Sequence, residues 1–285
     1  MTAAKVLEKV IESIEKLPSP SFVVQRIISV CSKPDASSEE VARALLMDAS
    51  LSARVLKLAN SAYYGIPRKI TTLSEAVMIL GFKTVRNIAL SVFTYDMIFK
   101  NQESVVDRKK LWTHFLYTAI VSETVAEVVG YPLKEEVFVA GLLHDIGKVV
   151  YDYVFPKLFE TMVKIAEKGK MNMLDVEREL GMPSHELVGK KLLESWNFPD
   201  LLVFSTAHHH SVESLSSDFF LSQVSMVQLG DVLANLIARG HSFSWGNPIL
   251  SPTAMRTLKM KPRLISKILE RAKVKISKAE ELMEI

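Results

Sequence analysis

The chain has 285 residues, 48% of them hydrophobic and 24% charged, enough apolar material for one large domain or two of ordinary size, which excludes a mainly disordered chain. Its 35 basic and 32 acidic residues leave a net charge of +3, too balanced for nucleic-acid binding by bulk electrostatics, although a local patch is compatible with it. The single cysteine, Cys31, excludes an intramolecular disulfide and a thiolate zinc site, suits a reducing, cytoplasmic setting, and leaves nitrogen and oxygen as the ligands for any metal.

In chain order, the opening "MTAAKVLEKVIESIEKLPSP" lacks the continuous apolar core of a signal peptide. It reads as an amphipathic helix with Val6, Val10, Ile14 and Leu17 on one face, ended by Pro18. In "SSEEVARALL" the spacing of Ser37 and Glu40 predicts a capping box, with Val41, Ala44 and Leu45 apolar behind it. "SLSARVLKLANSAYYG" predicts a helix with Leu51, Val55 and Leu58 on one side. Thr72 and Glu75 predict a second capping box ahead of Leu73, Val77 and Leu80, and Val85, Ile88 and Val92 continue the helical period. Loops are expected at 18–21, 33–37, 65–71 and 100–107. Beyond them helices are expected at 110–129, 134–152, 158–168, 172–180, 184–195, 199–210 and 218–238, with a charged helical tail at 262–285. No run of 18 apolar residues occurs, so no membrane span is expected. The fold class is therefore all-α: an N-terminal helical part over 1–105, a helical core over 106–245 and a C-terminal extension over 246–285.

Seven histidines, His114, His144, His185, His208, His209, His210 and His241, punctuate these helices. Most are flanked by apolar helical residues, and "GLLHDIGK" sets His144 and Asp145 directly behind a run of apolar ones. Taken singly, a histidine on a half-buried helix suits a hydrogen-bonded core position, and the triplet 208–210 suits a solvated helix end. Taken together, imidazoles converging in one dry site cost desolvation that a divalent cation offsets. Asp145 supplies a carboxylate able to bridge two ions. Asp231, in the apolar stretch "MVQLGDVLANLIA", is either a second acid ligand or a structural one.

These residues resemble the HD superfamily of metal-dependent phosphohydrolases, through the "GLLHDIGK" doublet and the order of the histidines and acid around it. "LPSPSFVVQRIISVCSKPDASSEEVARALLMDASLSARVLKLANSAYYG", "ITTLSEAVMILGFKTVRNIAL" and "HELVGKKLLESWNFPD" resemble, within that superfamily, the HDOD domain (HD-related output domain) of bacterial signalling proteins, over roughly residues 17 to 240. The resemblance implies an HD-like helical bundle after an N-terminal helical subdomain. It also implies a ligand set of His114, His144, Asp145, His185, His209, His210 and Asp231 for one or two divalent ions, with iron, manganese, nickel and zinc undistinguished. The histidine pair is either His208-His209 or His209-His210; the second is preferred, with His208 held as a substitute. "HHHSVESLSSDFF" has no Gly-Tyr-Pro turn after the histidines, so the cyclic-dinucleotide activity of some relatives does not carry over.

Two functions follow as expectations. One is a regulatory module answering a signalling protein or a nucleotide-like ligand. The other is an active phosphohydrolase, in which Asp145 orients an attacking water and Lys148 holds a phosphate; a solvated lysine is the alternative for Lys148. A third class, a helix-turn-helix over "SSEEVARALLMDASLSARVLKLANSAYYG" with Arg54, Lys57, Arg68 and Lys69 nearby, is opposed by the apolar second helix and the near-neutral charge.

Overall fold

The structure, a computed structural model, describes residues 3–14, 17, 20–31, 37–99, 104–215 and 219–283. Pro18, the side chain of Cys31, and most of the expected loops at 33–37 and 100–107 lie outside the described residues. Among those described the chain is all-α, with no strand. No single helix there is long and apolar enough to cross a membrane.

The chain forms two compact units, one of residues 1–17 and 98–272, the other of 18–97 and 273–285. This grouping differs from the three consecutive parts read from the sequence, because the first helix belongs with the later residues.

The second unit contains α2 (Phe22–Cys31), α3 (Ser38–Leu45), α4 (Ala49–Ala59), α5 (Leu73–Leu80) and most of α6 (Phe82–Phe99). The capping box is complete at α3: Glu40 N donates to Ser37 Oγ at 3.2 Å and Ser37 N donates to Glu40 Oε2 at 3.1 Å. Ser37→Ala is therefore expected to cost about 1 kcal/mol, read as a lowered urea midpoint. The second box is only half formed. Thr72 Oγ1 accepts from Glu75 N at 3.1 Å, but the Glu75 carboxylate reaches back one residue further, to Thr71 N at 2.9 Å. Leu51, Val55, Leu58, Leu73, Val77, Val85, Ile88 and Val92 are buried as their period predicts, whereas Leu80 is half-buried. Arg54 forks onto Asp96 at 2.9 and 3.0 Å, tying α4 to α6.

The first unit contains α1 (Ala3–Ile14), α7 (Arg108–Val129), α8 (Lys134–Leu143), α9 (Ile146–Val154), α10 (Pro156–Gly169), α11 (Met173–Glu179), α12 (His185–Ser195), α13 (Asp200–His208), α14 (Leu221–Ile237), α15 (Pro252–Thr257) and most of α16 (Pro262–Lys278). The tail expected as one helix to residue 285 leaves the α-helix at Lys278 and continues as a 3₁₀ turn over Glu280–Met283. Val6, Val10 and Ile14 are buried as α1 packs on α9 and α12. At the centre, α7 lies along both α8 and α14, and α12 along α9 and α13.

Three glycine contacts set these spacings. Ser122 of α7 sits against Gly141 of α8 and Gly230 of α14, where a Cβ on Gly230 would overlap its hydroxyl. Gly147 of α9 meets α12 so closely that a Cβ there would fall on the carbonyl oxygen of His185. Each glycine stands near a residue of the His/Asp cluster: Gly141 is three before His144, Gly147 two after Asp145, and Gly230 next to Asp231.

Candidate metal centre

The helix expected over 134–152 is broken at the doublet. α8 ends at Leu143 and α9 begins at Ile146, with Asp145 at φ −102°, ψ 14°. Apolar period continues through the break, so nothing in the pattern announces it. The carbonyls left free at the end of α8 take side-chain donors: Gly141 O accepts from His144 Nδ1 at 2.7 Å and Leu143 O from Thr206 Oγ1 at 3.3 Å. The break frees the doublet from the roughly 100° step between helical neighbours, and His144 and Asp145 turn into one cluster.

Six of the seven residues expected as ligands are buried, and His210 stands at the lip with its side chain 27% exposed. Around Asp145 Oδ2 stand His114 Nε2 at 3.2 Å and His144 Nε2 at 3.3 Å, themselves 3.2 Å apart. Asp231 Oδ1 lies 3.2 Å from His114 Nε2 and 3.6 Å from His144 Nε2. On the other oxygen, Asp145 Oδ1, converge His185 Nε2 at 3.2 Å and His209 Nε2 at 3.4 Å, with His210 beside them. Asp145 thus stands between two groups of ligand atoms. The adjacent pair is His209-His210. His208 points away, its Nδ1 3.0 Å from Ser214 Oγ and its ring stacked on Phe204. His241 also stays outside these groups.

The second nitrogens decide the chemistry of the rings. His144 Nδ1 faces the Gly141 carbonyl, His209 Nδ1 the Thr206 carbonyl at 2.9 Å, and His185 Nδ1 the Glu177 carboxylate at 2.9 Å. All three partners only accept, so each Nδ1 carries a proton, and a ring that gives up its second proton turns its Nε2 lone pair to the cluster. His185 Nε2, His209 Nε2 and Asp145 Oδ1 are buried without a hydrogen-bond partner although they converge. Metal bonds of about 2.0–2.2 Å place neighbouring ligand atoms about 3.0–3.5 Å apart, which is the spacing found here. The residues fit a divalent cation with nitrogen and oxygen ligands.

The cluster attracts positive charge. Burial disfavours a charged ring at His144, but Asp145 and then Asp231 outweigh it and lift its pKa to about 9. Burial likewise opposes charge on His185, and Glu177 with Asp145 lifts it to about 10. Burial would raise both acids, yet Lys148, His144 and His114 hold Asp145 well below the usual carboxylate range, and His114 and His144 do the same for Asp231. Desolvation and the neighbouring His209 and His185 push His210 well below its ordinary value.

Lys148 is not the solvated lysine that was its alternative. It is buried, with Nζ 2.5 Å from Asp145 Oδ2 and 3.0 Å from the Ser242 carbonyl. Ser242 Oγ donates to Asn235 Oδ1, and Asn235 Nδ2 donates to Asp231 Oδ1 at 2.7 Å, which closes a chain of hydrogen bonds from one acid to the other. Sequence reasoning missed Asn235 and Ser242, and also Glu177 and Glu186, which accepts from His210 N at 3.0 Å. A cavity of about 440 Å³ opens beside the cluster, with Lys148, His210 and Asp231 in its wall.

Residues 17–212 match the family model of the HDOD domain. The chain belongs to the HDOD family. Asp231 lies beyond the matched stretch of this HDOD chain. A solved HDOD domain protein of unknown function from Geobacter sulfurreducens is 27% identical, with a TM-score of 0.77 over 98% of this chain and 96% of that one. A proposed signal transduction protein from Marinobacter aquaeolei VT8 shares the fold at 21% identity and TM-score 0.77, over 99% of this chain and 66% of that one. So does a proposed phosphohydrolase from Shewanella amazonensis SB2B, at 21% identity and TM-score 0.72, over 96% and 98%. An uncharacterised protein of Treponema pallidum (strain Nichols) is 25% identical over 76% of this chain, which spans 41% of that relative's length.

Proposed function

We propose that this HDOD chain is a regulatory protein of bacterial signal transduction that holds one or two divalent ions between His114, His144, Asp145, His185, His209, His210 and Asp231. One observation carries the metal site: Asp145 Oδ1, His185 Nε2 and His209 Nε2 are buried and converge with no hydrogen-bond partner. Buried polar atoms without partners cost free energy, and a cation offsets that cost for all three at once. Glu177, the Thr206 carbonyl and the Gly141 carbonyl act as positioning groups that set the tautomers. Lys148 anchors Asp145. Protein purified without chelator is expected to carry ~1–2 ions per chain by elemental analysis. A chain with none would sink the reading.

Two expected results follow from the surroundings of the ligands. Glu177→Gln removes the carboxylate behind His185, and metal affinity should fall about 10–100-fold in a competition titration with a coloured chelator. In chelator-treated protein the acids keep His144 and His185 protonated near pH 7, since their pKa values are lifted to about 9 and 10. Their contribution to stability is then fully present below the unfolded histidine value of about 6.5 and is lost as pH rises through 9 to 10. Metal uptake at pH 7 should therefore release protons, measured by calorimetry in buffers of different ionisation enthalpy.

The second reading, a metal-dependent phosphohydrolase acting on a nucleotide-like substrate, is favoured by the cavity whose wall includes His210 and Asp231. A bound ion would supply an activated water at neutral pH. Asp145 would orient that water, while Lys148, held by Asp145 and the Ser242 carbonyl, would keep positive charge beside the substrate's phosphate. Turnover of a phosphodiester reporter with added Mn²⁺ or Fe²⁺, abolished by His144→Ala, would establish this reading. Bound metal without turnover across a broad nucleotide panel would leave the regulatory one.

A further inference from the structure

The near balance of 35 basic and 32 acidic residues conceals a local excess. Residues 259–278, "KMKPRLISKILERAKVKISK", hold eight basic side chains and one acidic, a charge of +7, while the other 27 basic and 31 acidic residues carry −4. The stretch comprises the connection after α15 and the whole of α16, and glutamates at 280, 281 and 284 bound it. In the first unit Lys259, Lys261, Arg263, Lys267 and Arg271 are exposed. Other surface cations of that unit lie against acids, as Lys164 does against Glu160, Arg178 against Asp175 and Lys191 against Glu194. None of these five has such a partner among the described residues. Helix stability does not account for them. Arg263, Lys267 and Arg271 follow one another at i, i+4 on one face, where like charges repel. Lys261 and Arg263 stand at the positive end of the helix dipole, with no acid in the first turn.

We infer that this basic face binds the phosphate backbone of a nucleic-acid duplex without reading its sequence. Three features select that partner. Ile268 and Ala272, on the other side of α16, are fully buried in the protein, so the helix has no apolar face to lay into a lipid surface. A protein interface has an apolar, often aromatic centre in which lysine is depleted; the stretch holds no aromatic residue, and among the large apolar residues of α16 only Val274 is exposed. Unstacked bases ask for aromatic platforms, which the same composition lacks. What is left is closely spaced cationic charge, which suits a row of phosphates. Arg263 and Arg271 lie about 12 Å apart along the helix axis, the rise of three to four nucleotides of one strand. The inference is independent of the metal reading, since no residue of the cluster lies in this stretch.

The test is fluorescence anisotropy of the full chain as purified against two labelled DNA duplexes of unrelated sequence, over a range of salt. Saturable binding of both duplexes is expected, equal within about threefold, with a slope of log affinity against log salt of about −4 for five phosphate contacts. Lys267→Ala combined with Arg271→Ala should flatten that slope by about 2 and weaken binding at least about tenfold, with metal content unchanged. Lys164→Ala, which removes a surface lysine elsewhere, should change neither. Should the double variant fail to fold, Lys259→Ala with Lys261→Ala, outside the helix, takes its place. Absence of binding at about 50 mM salt overturns the inference, as does a slope the double variant leaves unchanged, or an equal loss in Lys164→Ala. A preference above about tenfold for one duplex overturns it by making base edges the target. Vesicles of phosphatidylserine and phosphatidylcholine bound in place of the duplexes overturn it in favour of a membrane surface.

Discussion

Asp145→Asn is expected to lose both the metal and much of the stability of the first unit. The carboxylate stands between four imidazoles and the Lys148 ammonium. Asparagine keeps the shape but removes the charge, and it leaves the buried Lys148 ammonium with neutral acceptors only and no counter-charge. Breaking a buried pair by neutralising one partner costs about 3–5 kcal/mol. The urea midpoint should fall accordingly, and elemental analysis should show ions near zero per chain. His208→Ala, on the far side of the same histidine triplet, should leave both measurements unchanged. If Asp145→Asn retained its metal, the carboxylate would not be the pivot between the two groups of ligands.

Gly147→Ala carries the second large effect, through backbone rather than charge. The added methyl would meet the carbonyl oxygen of His185, and the nearest atoms beyond it are also main chain, including Gly189 N. Main chain cannot rotate aside as a side chain can, so α9 and α12 must separate. The expected loss is about 2–3 kcal/mol, toward the upper end for overpacking. His185 would move with its helix away from Asp145 Oδ1, and metal affinity should drop as well. Gly65→Ala is a useful contrast: its Cβ meets nothing within 4 Å, but its φ of +62° makes the cost one of backbone strain, with no effect on metal.

Much of this was legible in the residues because it is local or compositional. Helical period located most elements of both units, though not the short α15. The Ser37 box could be read directly, since its partners are three residues apart. The histidines and the two acids could be collected because their types are rare in apolar helices, and the order of their occurrence supplied the rest. What escaped depends on tertiary geometry. The interruption at His144–Asp145 is invisible because apolar residues flank it on both sides at helical spacing. Glu177 looked like one acid among several on a short charged helix, and only the approach of α11 to His185 gives it a role. Lys148 could not be told from a solvated lysine, because one of the two acceptors of its ammonium is a carbonyl 94 residues later, at Ser242. The glycines at 141, 147 and 230 stand where loops would not put them, which was a readable sign of close approach.

The path of the chain also sets a timetable for its synthesis. α1 leaves the ribosome ahead of the faces it covers, on α9 and α12, which are made well over a hundred residues later. Until then Val6, Val10 and Ile14 lack those partners, while α2 to α5 of the other unit emerge and pair nearly at once. The cluster is more delayed still, since Asp231 arrives after every histidine it faces. A nascent chain stalled before that residue would present its imidazoles without their second acid, and its first helix would be a natural target for whatever shields unpaired apolar surface in the cell.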